Sequence, residues 1–179
     1  MSQPTWVSNT LNEGDNVTPF DPDAVVGINY TLSDYITTVA FHCPTYLAAM
    51  YRVNANMTVY RTLYSGIFPP LQPYPWVRAY HGADVLLLFG AENTIAYQDP
   101  GPNVLQAGIY FRSAVAAFVK DPKDGLAEFG WPKYTGAGEF NRASLSLIFS
   151  DPFLFSKSNP QYRCRMVHPN PSTPNLTFP

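Results

Sequence analysis

Two side chains of this chain are able to work together on a proton, and they lie far apart in sequence. His81 ends the stretch Pro73-Tyr74-Pro75-Trp76-Val77-Arg78-Ala79-Tyr80-His81-Gly82-Ala83-Asp84. Prolines and aromatics stiffen its approach, Gly82 follows, and the apolar run Val85 to Phe89 starts at once. An imidazole delivered in this way sits on a rigid loop at the mouth of a packed element, a setting suited to a general base. Glu13, in Asn12-Glu13-Gly14, offers a carboxylate in a second turn-like setting, 81 − 13 = 68 residues earlier. A carboxylate that precedes its histidine is the second half of a serine–acid–histidine order. The first half is missing from these residues. No serine stands in Gly-x-Ser-x-Gly, and no His-Gly-Gly-Gly stretch offers an oxyanion hole. Ser65 in Tyr64-Ser65-Gly66 is the nearest imitation, and it lacks the preceding glycine.

Each of these residues has a plainer reading. A lone histidine proves nothing, and His81 without its neighbours reads as a surface residue packed on Trp76 or Tyr80. Glu13 alone reads as a turn or N-cap carboxylate, and Asp15 competes for its role from two residues away. His42, in an apolar helical stretch beside Cys43, reads as structural, and His168, in a proline-rich tail, as solvated. With no His-x-x-x-His or Cys-x-x-Cys spacing among three widely separated histidines, no metal site is expected.

The elements that must hold these residues are mostly helical. Residues 1–20 read as loop, with Gly, Asn, Asp and Pro clustered around Glu13. Asp21-Pro22-Asp23 resembles a helix start. Ser33 is a good N-cap for a second helix through Tyr35, Ile36, Val39 and Ala40. Pro44 belongs to a first turn or a kink, after which Tyr46, Leu47, Met50 and Tyr51 keep helical spacing. Met57 to Tyr64 alternates and is rich in aromatic and β-branched residues, which predicts a strand. Residues 66–80 form a proline-punctuated loop, and Asn103 to Lys120 predicts a helix with Val104, Gly108, Phe111, Val115 and Phe118 on one face. Trp131-Pro132 marks a surface loop, Ser144 to Phe149 a short strand, and about 159–179 an extended tail. One or two strands cannot make a doubly wound sheet, which needs several buried between helices. The expectation is therefore α/β, helix-rich, and a terminal piece of a larger domain.

The local words, in order, resemble the C-terminal part of type B carboxylesterases, the esterase, lipase and cholinesterase group, and most closely its fungal secreted members. They are Asn12-Glu13-Gly14, Phe41-His42-Cys43-Pro44, Tyr74-Pro75-Trp76, Ala79 to Asp84, Leu88-Phe89-Gly90, Ala116 to Pro122 and Trp131-Pro132-Lys133-Tyr134, spanning roughly residues 8–150. The resemblance implies that residues 1–179 are a partial domain of the α/β-hydrolase fold. It implies that His81 is the general base and acid, and that Glu13, not Asp15, is the carboxylate that orients it. The reaction implied is carboxylic-ester hydrolysis through an acyl-serine, without cofactor, on a small-molecule or lipid ester. Because the nucleophile and oxyanion hole are absent here, the chain alone is expected to be inactive.

Bulk properties narrow the alternatives. The net charge is −2 with 13% charged residues and no basic stripe, which argues against nucleic acid, whose phosphates need clustered Lys and Arg. No stretch approaches the ~18 apolar residues of a membrane span. Met1 to Trp6 has neither a charged start nor an apolar stretch, so it does not read as a signal peptide. Against a cytoplasmic reading stand four sequons, at Asn16, Asn29, Asn56 and Asn175, of which Asn16 is a poor acceptor because Pro19 follows its threonine. Cys43 and Cys164 make either one disulfide in an oxidising compartment or two unrelated buried thiols. A secreted parent with its signal peptide upstream fits these features. Two other classes compete: a catalytically inactive interaction protein of the same fold, and an aromatic-rich carbohydrate-binding module using Trp6, Trp76 and Trp131 as stacking platforms. The module should be sheet-rich; this chain reads as helix-rich.

Overall fold

The computed structural model describes residues 3–21 and 27–136. The expected helix start at Asp21-Pro22-Asp23, the strand at Ser144–Phe149, the tail from 159, Cys164, His168 and Asn175 therefore lie wholly or partly outside the described residues.

Two parallel strands, β1 (Thr5–Thr10) and β2 (Val59–Tyr64), pair in register from Thr5 opposite Val59 to Thr10 opposite Tyr64. Parallel strands need a crossover, and the crossover here is helical. Helix α1 (Tyr30–Ile36), a π-helical turn (Thr37–His42) and α2 (Cys43–Asn54) follow one another without a break. After β2 come a loop with a single 3₁₀ turn at Pro69–Leu71, the short α3 (Ala83–Leu88), the long α4 (Gly101–Lys120) and α5 (Gly125–Glu128). The described part is thus mixed, with helices around a two-stranded parallel sheet.

β2 is buried along nearly its whole length, as a parallel strand covered on both faces must be. Alternation sorts its side chains. Val59 packs with Ala49 of α2 and Tyr134, and Arg61 lies over the rings of Tyr46 and Tyr134. Tyr60 and Tyr64 join the main core, where Phe111, Ala107, Val104 and Ala114 of α4 meet Leu87 of α3, Leu126 of α5 and Trp131. Among the described residues no helix is long and apolar enough to cross a membrane.

Four expectations need correction. Residues 1–20 are not all loop, because Thr5–Thr10 form β1. That strand has too few apolar residues to announce itself; its partner, 54 residues away, makes it a strand. Ser33 is not the helix cap: Asn29 is, its side chain accepting from the Leu32 amide, while Ser33 is buried one turn inside. Trp131 is not on a surface loop but 3% exposed within the core. The three tryptophans offer no platform. Trp76 and Trp131 are buried, and Trp6 is part-buried, set edge-on to Phe111, Phe118 and Trp131 with its Nε1–H donated to Thr62 Oγ1.

Candidate active site

β1 runs out at Thr10, and the chain turns sharply through Asn12 to Thr18. Gly14 allows the turn to press against α1, where a Cβ would collide with the Ser33 carbonyl oxygen. The turn closes on itself through the Thr18 hydroxyl, which donates to the Gly14 carbonyl at 2.7 Å. The Gly14 amide donates to Thr37 Oγ1 on the π-helical turn at 2.8 Å. Glu13, 4% exposed, is thereby fixed at the end of the sheet.

The histidine loop arrives at the same place. The Asn12 amide donates to the Ala79 carbonyl at 2.9 Å, and Asn12 and Tyr80 form a parallel bridge. Gly82, at φ +87°, lets the chain leave His81 through the left-handed region and enter α3 directly, a step that glycine takes without strain.

The two side chains meet. His81 Nδ1 lies 2.7 Å from Glu13 Oε2. The carboxylate's other oxygen, Oε1, accepts from the Thr10 amide at 2.7 Å and from Asn9 Nδ2 at 3.2 Å. Asn9 is itself oriented by the Thr45 hydroxyl, which donates to its Oδ1 at 2.6 Å. A carboxylate held by so many donors keeps one direction. An Nδ1–H donated to it leaves Nε2 as the acceptor on His81, the tautomer that can take a proton from a nucleophile. The His81 ring is half exposed and rests against Phe41 with ring centroids 5.0 Å apart.

Asp15 spends its oxygens on other partners. It is fully buried and takes both nitrogens of the Arg78 fork and the Ser33 hydroxyl. Asp84, on the first turn of α3, has its carboxyl pushed above the usual range by burial and then by the neighbouring Glu13 charge. His42 is structural in its contacts. It is buried, its Nε2–H is donated to the Thr10 carbonyl at 2.8 Å, and burial keeps its ring below the usual histidine range.

Several residues of the site were not visible in the sequence: Asn9, Thr37, Thr45 and Arg78. Asn16 also has a part in it, its Nδ2 donating to the His81 carbonyl at 3.0 Å. That asparagine, a sequon member on paper, ties the histidine loop to the acid turn. Cys43 is buried on α2 beside Tyr46, Leu47 and Met50, and no free cysteine occurs among the described residues.

No protein-family model and no solved structure matches the chain. Two fungal proteins are similar to it. Over 140 residues it is 29% identical to Secreted lipase 5 of Gibberella zeae, covering 73% of this chain and 25% of that protein. Over 93 residues it is 33% identical to Chlorogenic acid esterase of Aspergillus niger, covering 50% of this chain and 17% of that one. The chain thus spans a quarter or less of the length of these curated relatives. The similarities support a carboxylesterase or lipase family without singling out type B.

Proposed function

We propose that this chain is the acid- and base-bearing part of a serine-type carboxylic-ester hydrolase, the C-terminal piece of a larger type B α/β-hydrolase domain. The observation that carries the reading is the 2.7 Å contact from His81 Nδ1 to a buried carboxylate already fixed by two other donors. In this reading a serine from outside these residues gives its proton to His81 Nε2 as it attacks the ester carbonyl. Glu13 stabilises the imidazolium that forms, without itself taking the proton. His81 then returns the proton to the leaving alkoxide. In the second half it takes a proton from water as the water oxygen attacks the acyl-serine, and it returns that proton to the serine oxygen as the acid is released. The names of the two relatives bracket the substrates, from lipid esters to aromatic acid esters.

The chain alone lacks the nucleophile. Incubated with a short-chain aryl ester, it should give no turnover above that of free imidazole at equal concentration. Turnover by the chain that His81→Ala abolishes would overturn the assignment of the nucleophile to another segment.

A secreted parent completes the proposal, with Cys43 paired to Cys164 and glycans on Asn29, Asn56 and Asn175. Asn29 and Asn56 are exposed, and the α1 cap engages only Oδ1 of Asn29, leaving its nitrogen for a glycan. Intact-mass measurement on protein secreted by a eukaryotic host should show glycan mass, and cysteines that alkylate only after reduction. Alkylation without reduction would remove the disulfide, and a bare polypeptide mass would count against secretion.

A further inference from the structure

The Glu13–His81 contact joins two loops that are distant in sequence, and something must set the distance between them. Two residues past Glu13, Asp15 lies fully buried. Three residues before His81, Arg78 turns its guanidinium onto it. Asp15 Oδ2 accepts from Arg78 Nε at 3.0 Å and from the Arg78 backbone amide at 2.7 Å. Asp15 Oδ1 accepts from Arg78 Nη2 at 2.7 Å and from the Ser33 hydroxyl at 2.6 Å. Nη2 is shared with Asp34 at 2.9 Å, and the guanidinium lies over the Tyr30 ring, 4.6 Å from its centroid. Tyr30 in turn donates its hydroxyl to the Trp76 carbonyl on the histidine loop. The acid turn, the histidine loop and α1 are thus joined at one point.

We propose that the Asp15–Arg78 ion pair is the positioning device that sets the Glu13–His81 hydrogen bond. Both are positioning residues that touch no reacting atom, and the inference rests on the acid–base reading above for its catalytic meaning. A bidentate fork fixes a plane and two distances at once, which a lysine's point charge does not. An ion pair with a buried carboxylate and a part-buried guanidinium adds little net stability over an apolar pair of the same shape, so its value here lies in register. Register matters because an acid–base pair displaced by about 1 Å loses on the order of 10²-fold in rate.

The tautomer of His81 reports the geometry without any ester chemistry. Long-range proton–nitrogen spectra of the histidine-labelled chain, at a pH well above the ordinary imidazole range, give the ratio of Nδ1–H to Nε2–H, with His81→Ala assigning the signal. His81 should be predominantly Nδ1–H. Arg78→Met and Asp15→Asn should lose that preference, moving the ratio to that of a free histidine, and Arg78→Lys should recover it only in part. Arg112→Met, which breaks the similarly buried Glu92–Arg112 pair beside α3, should leave it unchanged. An unchanged ratio in folded Arg78→Met and Asp15→Asn overturns the proposal, as does an equal change in Arg112→Met. If Arg78→Met does not fold, Arg78→Lys decides, and a wild-type ratio there overturns it. Glu13→Gln separates the two ideas: if it leaves the tautomer unchanged, the acid–base reading fails whatever Arg78 does.

Discussion

In the larger esterase that the proposed reading requires, His81→Ala is expected to lower kcat on an aryl ester by about 10⁶-fold, with KM little changed. On the proposed reading, the serine supplied from outside these residues cannot be deprotonated without its base, and what remains is binding and the oxyanion hole. Glu13→Gln should cost about 10⁴-fold, and the reason is specific to this site. Oε1 of Glu13 is already claimed by the Thr10 amide and Asn9 Nδ2, both donors. A glutamine would keep its carbonyl oxygen there and turn its NH₂ toward His81 Nδ1. Nδ1 then becomes an acceptor, the proton moves to Nε2, and the imidazole can no longer act as a base. Glu13→Ala leaves Nδ1 free to choose either tautomer. The isosteric change should therefore damage kcat at least as much as the truncation. Steady-state kinetics on the three variants checks this. Wild-type kcat in Glu13→Gln would remove Glu13 from the mechanism, and a loss of only a few fold in His81→Ala would remove His81. The transcript that contains this chain decides the larger matter, because an upstream Gly-x-Ser-x-Gly in frame is required by the proposal.

What could be read from the chain beforehand followed how local the signal was. The strand ending at Tyr64 and the helix ending at Lys120 carry their own periodicity, and both are present. His81 and Glu13 stood out through the words around them, which no periodicity supplies. β1 escaped because Ser8, Asn9 and Thr10 look like loop residues until β2 lies beside them. Asn29 displaced Ser33 as the helix cap because the side chain of Ser33 was needed elsewhere, on Asp15. Arg78 and Asp15 each resemble an ordinary exposed charge, and nothing within ten residues of either reveals that they meet. The π-helical turn was equally invisible. From it Thr37 meets the acid turn at Gly14, Phe41 meets the His81 ring, and His42 meets Thr10 at the end of β1. Such an insertion in a helix is common at functional sites, yet it has no sequence signature of its own.

The largest expected loss of stability lies at Trp131, on the far side of the sheet from Arg61. Its ring centroid is 5.5 Å from that of Trp6, edge to face, and 6.1 to 6.5 Å from those of Tyr110, Phe111 and Phe129. Its Nε1–H is donated to the Tyr110 hydroxyl at 2.9 Å, so its one polar atom is satisfied. Its backbone amide ties the chain after α5 to the Leu126 carbonyl. Truncation would leave a cavity between α4, α5 and β1, which rigid rings close poorly, and would leave the Tyr110 hydroxyl without its donor. Trp131→Ala should therefore cost about 3–5 kcal/mol, a large share of the roughly 5–15 kcal/mol that holds a domain together. Trp131→Phe keeps most of the ring contacts and should cost less, while Val119→Ala on the exposed face of α4 should stay within about 0.5 kcal/mol. Urea unfolding followed by circular dichroism measures all three. If Trp131→Ala unfolds like the wild type, and the wild type binds a cell-wall polysaccharide that the variant does not, Trp131 is a binding platform and the core described here is wrong. An early unfolding midpoint, with no polysaccharide binding in either protein, would leave the aromatic cluster as the packing that holds β1 in place, and with it the turn that carries Glu13.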